Sequence, residues 1–137
     1  QKFSGYCSYW ETGKNINGSI YVNGGVGSSG GNQTFKGAIL ATGDVQFSGA
    51  NLYLPGTDGI AIYSANGNIG LYSSGAEIHG IIYAPNGYVQ IGANTTIYGM
   101  VIAQNIMFNG SHTEIYYDDS YLALAGIGNG GESKLVE

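Results

Sequence analysis

The sequence predicts an all-β protein, a single-stranded parallel β-helix (β-solenoid) of about five to six rungs. Three observations carry this expectation. An apolar–any–Gly–any–apolar pattern recurs at Ile16–Ile20, Phe35–Ile39, Ile78–Ile82 and Ile97–Val101. A slipped copy lies at Gly59–Ile62, and in a last variant, Ile115–Asp118, Tyr117 takes the place of the glycine. The anchors, residues 18, 37, 59, 80, 99 and 117, are separated by 19, 22, 21, 19 and 18 residues, which is a repeat period. Short alternating segments and Asn-Gly or Thr-Gly turns recur at matching offsets between the anchors.

Each element follows from that frame. Phe3 to Trp10 are aromatic and irregular and fit a cap over the open first rung, so residues 1–15 form an N-terminal cap. The solenoid then spans residues 16–120. After each anchor strand a second strand follows, at Asp44–Phe47, Asn68–Leu71, Tyr88–Ile91 and Asn105–Phe108, alternating polar and mostly apolar residues. A third precedes the next anchor, at Asn51–Leu54, Ala76–Ile78 and Thr95–Ile97. Stacking such rungs places Ile20, Ile39, Ile82 and Val101 in one inward column and Ile69, Val89 and Ile106 in another. The repeated anchor glycine marks a bend or an unusual backbone angle at one corner. An antiparallel sandwich also spaces its strands closely, but it gives no reason for apolar positions to recur in register. Residues 121–137 read as a C-terminal cap, a short turn or strand, followed by a flexible Gly-rich tail.

Composition removes several functions. The chain has 137 residues, one domain's worth, with 4 Lys, no Arg and 9 acids, for a net charge of −5. Without a basic cluster there is no phosphate-tracking face, so no nucleic-acid partner is expected. No stretch of about 20 apolar residues occurs, so no membrane span is expected in this chain. No signal peptide is present, and the chain reads as a mature or excised segment. Cys7 is the only cysteine, which rules out an internal disulfide and suits packing or an exposed thiol. Only 9% of residues are charged, while Tyr, Asn, Ser, Thr and Gly abound, as suits an exported surface protein.

The chemistry-bearing residues are sparse. A β-helical polysaccharide lyase or hydrolase needs clustered carboxylates and a cation. Asp44, Asp58, Glu77 and Glu114 are spread along the chain, with only Lys36 or Lys14 to serve as that cation. Glu77 and Glu114 each precede an anchor isoleucine and so share one outward side. No catalytic residue and no cofactor is therefore assigned. Asp118 and Asp119 are a candidate for weak calcium binding, but they lack a spaced ligand loop and fit a closing turn better. His79 and His112 have no partners at zinc spacing. The remaining signal is tyrosine. Tyr83, Tyr88, Tyr98, Tyr116 and Tyr117 crowd the last rungs, with Tyr53, Tyr63 and Tyr72 earlier. We take Tyr83, Tyr88, Tyr98 and Tyr116 as candidate surface-contact residues for protein or sugar, against the plainer reading that stacked tyrosines cover the solenoid sides.

The run His79-Gly80-Ile81-Ile82-Tyr83-Ala84-Pro85-Asn86-Gly87-Tyr88-Val89, continued by Ile97–Ala103 and Ile115–Asp118, resembles the C-terminal β-helical domain of PilX-like minor pilins and related bacterial pilus-assembly proteins. A Gly-x-x-Tyr-Ala-Pro rung, a Tyr-Gly rung and a closing Tyr-Asp carry the likeness, and Gly37–Val45 fits the preceding rung. The resemblance covers roughly residues 16–120, and bactofilins share its Gly–apolar rhythm more distantly. The N-terminal apolar helix of such pilins is absent from this chain. The resemblance implies a pilus-associated or cell-surface role and carries no catalytic residue. The expected function is thus a non-enzymatic, extracellular module in assembly, adhesion or filament structure. Its expected partners are protein subunits, including copies of itself. The alternative is a β-helix that binds or cleaves surface carbohydrate.

Overall fold

The computed structural model describes residues 2–4, 7–9, 15–56 and 59–124. In chain order the strands are β1 (Lys2–Ser4), β2 (Cys7–Tyr9), β3 (Asn15–Ile16), β4 (Ile20–Asn23), β5 (Val26–Ser28), β6 (Gly31–Phe35) and β7 (Ile39–Ala41). They continue as β8 (Val45–Phe47), β9 (Ala50–Leu54), β10 (Ile60–Ser64), β11 (Ile69–Leu71), β12 (Glu77–Ile91), β13 (Thr96–Phe108) and β14 (Glu114–Tyr117). One short helix, α1 (Ser120–Leu124), comes next and lies against β10 and β12.

Every pairing between these strands is parallel. The strands stack as a β-solenoid of about five turns, and each turn contributes three strands to three faces. The first face is β3, β6, β9, the openings of β12 and β13, and β14. The second is β1, β4, β7, β10, the middle of β12 and Met100–Ala103. The third is β2, β5, β8, β11, the end of β12 and Asn105–Phe108. In the last two full turns the corner between the second and third strands is absorbed into a continuous β12 and β13, with a register shift between Ala84 and Tyr88.

The core is a set of columns. Ile20, Ile39, Ile62, Ile82 and Val101 stack in register, as do Val26, Val45, Ile69, Val89 and Ile106. Both columns contain the residues the repeat assigned to them. Ile62 joins the first because a bulge between Ile60 and Ile62 absorbs the one-residue slip seen at that anchor. A third column runs Leu54, Ile78, Ile97, Ile115. Each fully buried aliphatic side chain contributes on the order of 1.5–3 kcal/mol, and stacking like on like keeps the interior free of mismatched shapes.

The three corners have different chemistry. At the anchor corner, a Cβ on Gly37 would collide with the backbone of Gly18, and one on Gly80 would lie 2.6 Å from the Gly59 carbonyl oxygen. The glycines touch directly across rungs, and at Gly37 and Gly80 a side chain would strike the backbone of the rung below. At the next corner Asn68 N–H donates to Asp44 Oδ1 at 2.9 Å, and Tyr88 N–H donates to Asn68 Oδ1 at 2.9 Å. The third corner is left-handed and is occupied by Asn32, Asn51, Asn94 and His112, with φ of 56°, 58°, 54° and 59°. Short polar side chains tolerate that conformation, and Asn51 Nδ2 donates to Asn32 Oδ1 at 2.9 Å to link successive rungs.

The proposed cap over the first rung falls largely outside the described residues, apart from the backbone strands β1 and β2. Residues 125–137, Lys14 and Asp58 lie outside them as well.

Candidate functional site

The side chains with chemistry resolve into a few groups. On the first face His79, Tyr98 and Tyr116 occupy one outward column in register. The His79 and Tyr98 rings stack 4.7 Å apart with planes 14° apart, and the Tyr98 and Tyr116 rings stack at 5.2 Å and 13°. Tyr53 meets His79 edge-on at 6.1 Å. The rungs themselves are about 4.8 Å apart, so ring stacking is a direct product of strand register.

Glu77 and Glu114 sit two positions earlier in the same strands, opposite Thr96, and thus share one outward side as the sequence suggests. Thr96 stands between them in the ladder, so they are two rungs apart. Glu77 Oε2 lies 2.8 Å from His79 Nε2. The Glu114 carboxylate pushes the neighbouring Tyr116 hydroxyl above the ordinary tyrosine range, helped by a hydrogen bond to that carboxylate. Asp44 is held at its corner by the Asn68 amide. Asp118 accepts from the Ser120 hydroxyl at 2.6 Å and from the Ser120 N–H at 3.0 Å, and these bonds hold its carboxyl below the usual range. Asp118 therefore caps α1, the closing-turn role. Among the described residues no three His, Cys, Asp or Glu side chains converge. His112 is a corner residue, with Nδ1 3.1 Å from Ser111 Oγ.

The four candidate tyrosines are spread over the solenoid. Tyr98 and Tyr116 share the first face. Tyr83 lies on the second, its ring 5.5 Å from Tyr63. Tyr88 begins the third-face segment of β12, beside Tyr72. Tyr72 folds back so that its ring covers Gly70, with its hydroxyl 3.5 Å from Gln90 Oε1. Burial, followed by the proximity of Tyr88 and Asp44, raises the Tyr72 hydroxyl. Only Tyr98 and Tyr116 are brought together, and their stacked rings cover one another's faces. A sugar or a second aromatic ring needs an open face, and the outer face of Tyr116, at the end of the stack, has no ring above it among the described residues.

That end is where sequence reasoning missed a feature. Ile102, Ile106, Met107, Phe108, Ile115, Tyr116 and Tyr117 all belong to the last turn and are 39–69% exposed. The lower members of the Ile106 and Phe108 columns, Ile69 and Val89, Leu71 and Ile91, are fully buried, whereas Ile102, Met107 and Tyr116 continue outward columns. Ile106 is in its expected column, yet it is 40% exposed because no strand lies above it among the described residues. From Met100 to Phe108 the outer edge of β13 has no strand partner among the described residues, whereas β14 pairs with Thr96–Gly99. The signal was available in the sequence: after Tyr117 comes Asp118-Asp119-Ser120, and no second strand follows among the described residues.

Fold and end together define a parallel β-solenoid whose last turn presents an apolar, strand-edged face. The chain belongs to the family described as a domain of unknown function, DUF7305, which matches residues 12–124. No curated protein and no solved structure matches the chain.

Proposed function

We propose that this protein is a non-enzymatic, extracellular β-solenoid module, pilus-associated or otherwise at the cell surface, that acts through protein–protein contact in assembly, adhesion or filament structure. The observation that carries the reading is the last turn, where exposed Ile102, Ile106, Met107 and Phe108 border a strand edge that has no partner among the described residues. A row of unpaired backbone groups beside apolar side chains is a template for another chain. The resemblance of residues 16–120 to PilX-like pilus-assembly domains and the low charge of the chain support the surface location. The test is to shear surface structures from the cells that make the protein and to ask where it goes. Recovery with the sheared material is expected, and recovery only as free or intracellular protein would refute the reading.

One observation favours the carbohydrate alternative. Tyr72 is 42% exposed over Gly70, beside Gln90, and an aromatic ring near an amide is a surface on which a neutral sugar stacks. Loss of glycan retention in Tyr72→Ala would support it.

A further inference from the structure

The open end has a shape that selects a partner. A coil with three strands per turn climbs about 4.8 Å per rung, so each strand stands about 1.6 Å above the one before it. At the last turn Met100–Ala103 is therefore lowest, Asn105–Phe108 is intermediate, and β14 is highest, a full rung above Thr96–Gly99. Such a staircase is its own complement. A two-fold axis perpendicular to the coil and passing beside Asn105–Phe108 brings Asn105–Phe108 onto itself. It also sets β14 of each copy on Met100–Ala103 of the other. The low strand then meets the high one on two faces, the intermediate strand meets its equal, and both of the exchanged segments are four residues long.

From this geometry we infer that the protein forms a tail-to-tail dimer through its last turn, with a second copy of the same chain as the occupant of the open end. The inference rests on the protein–protein reading above and names the partner. The edges that meet run antiparallel and so satisfy the backbone groups of β13 and β14. The core columns continue across the contact: Ile106 of each copy faces Phe108 of the other on either side of the axis at Met107, and Ile115 lies against Val101 and Ala103 of the other copy. Charge favours the same occupant. Each copy carries a net charge of −5, so copies repel except across an uncharged contact, and residues 100–113 contain no Asp, Glu, Lys or Arg. Glu114 points outward on β14 and stays at the rim. A basic partner would find no acidic surface between residues 100 and 113. Two-fold closure also leaves no growing end at this face.

Sedimentation velocity of the whole chain over a range of concentrations tests the inference. A monomer–dimer equilibrium is expected. Ile106→Asp and Phe108→Asp, at positions 40% and 56% exposed in the single chain, should each weaken the dimer at least about tenfold by placing an unpaired charge in the contact, while their thermal melts stay close to that of the parent. In a Cys7→Ser background, Met107→Cys should form a disulfide-linked dimer on mild oxidation, because the axis passes beside it, whereas Tyr21→Cys should not. Three results would overturn the inference: a monomer at every concentration, an open-ended series of sizes with no Met107→Cys cross-link, or a dimer indifferent to both aspartates. A monomer that is still recovered with sheared surface material would overturn the dimer alone and leave association with another protein standing.

Discussion

Tyr98 and Tyr116 stack with ring centroids 5.2 Å apart because they are the same position of successive rungs. His79 extends the stack below at 4.7 Å. The outward surface of the solenoid is thus organised by the same register as its core. Removing the central ring breaks two contacts. Tyr98→Ala is expected to destabilise the protein by about 2 kcal/mol and Tyr98→Phe by less than about 0.5 kcal/mol, read from denaturant melts. Equal losses in the two variants would mean that the hydroxyl, not the ring, matters.

Two anchor glycines differ in an informative way. Gly18 has φ +88° but open space where a Cβ would stand, whereas a Cβ on Gly37 would strike the Gly18 backbone. Gly18→Ala should therefore lose only the left-handed penalty, about 1–2 kcal/mol. Gly37→Ala should lose more, about 3 kcal/mol or above, because neither backbone can retreat without breaking the ladder. A thermal melt of each variant ranks them, and the reverse order would contradict direct contact between the anchors.

Position along a column decides what a charge does. Ile82 is wholly buried, and Ile106 is 40% exposed. Ile82→Asp should abolish the cooperative melt, since an unpaired carboxylate in the core exceeds the stability of a small domain. Ile106→Asp should fold. Circular dichroism melts of the two variants separate the interior of the stack from its end.

The Asp118 cap gives a pH dependence of known sign. Its folded pKa is depressed by the Ser120 hydroxyl and then by the Ser120 N–H. Its contribution is therefore present above the unfolded value, near 3.8, and is lost as pH falls through the lower folded value. The effect is local to α1. Amide exchange in Ser120–Leu124 should quicken below about pH 4 relative to the solenoid, after allowance for intrinsic rates. Asp118→Ala should show the faster exchange already at about pH 7.

Much of this was legible in one sequence because a stacked fold writes its contacts as a period. Ile20, Ile39, Ile82 and Val101 could be aligned by counting, and so could Ile69, Val89 and Ile106. Ile62 could not be placed with them, since the bulge that restores its register depends on a neighbouring rung already in position. The Asn32, Asn51, Asn94 and His112 corner was hidden for a different reason. Its spacing is irregular and Gly75, also at positive φ, interrupts it, so each residue reads alone as an ordinary turn. The spread of the tyrosines over three faces depends on which side of each strand they leave from and on where the corners fall. The open end is set by the residues beyond the last repeat, Asp118-Asp119-Ser120, rather than by the repeat itself.

The direct contact between Gly37 and Gly18, and its counterpart between Gly80 and Gly59, makes each turn an interchangeable unit. His79 and Tyr98 hold equivalent positions, so excising residues 80–98 would join His79 to Gly99 and leave every surviving column intact. Such a shortened chain would keep its sides and its terminal surface while losing about 4.8 Å of height. The number of turns therefore sets how far the last turn stands from whatever holds the other end, and the molecule can be read as a spacer whose reach changes in discrete increments by gain or loss of whole repeats.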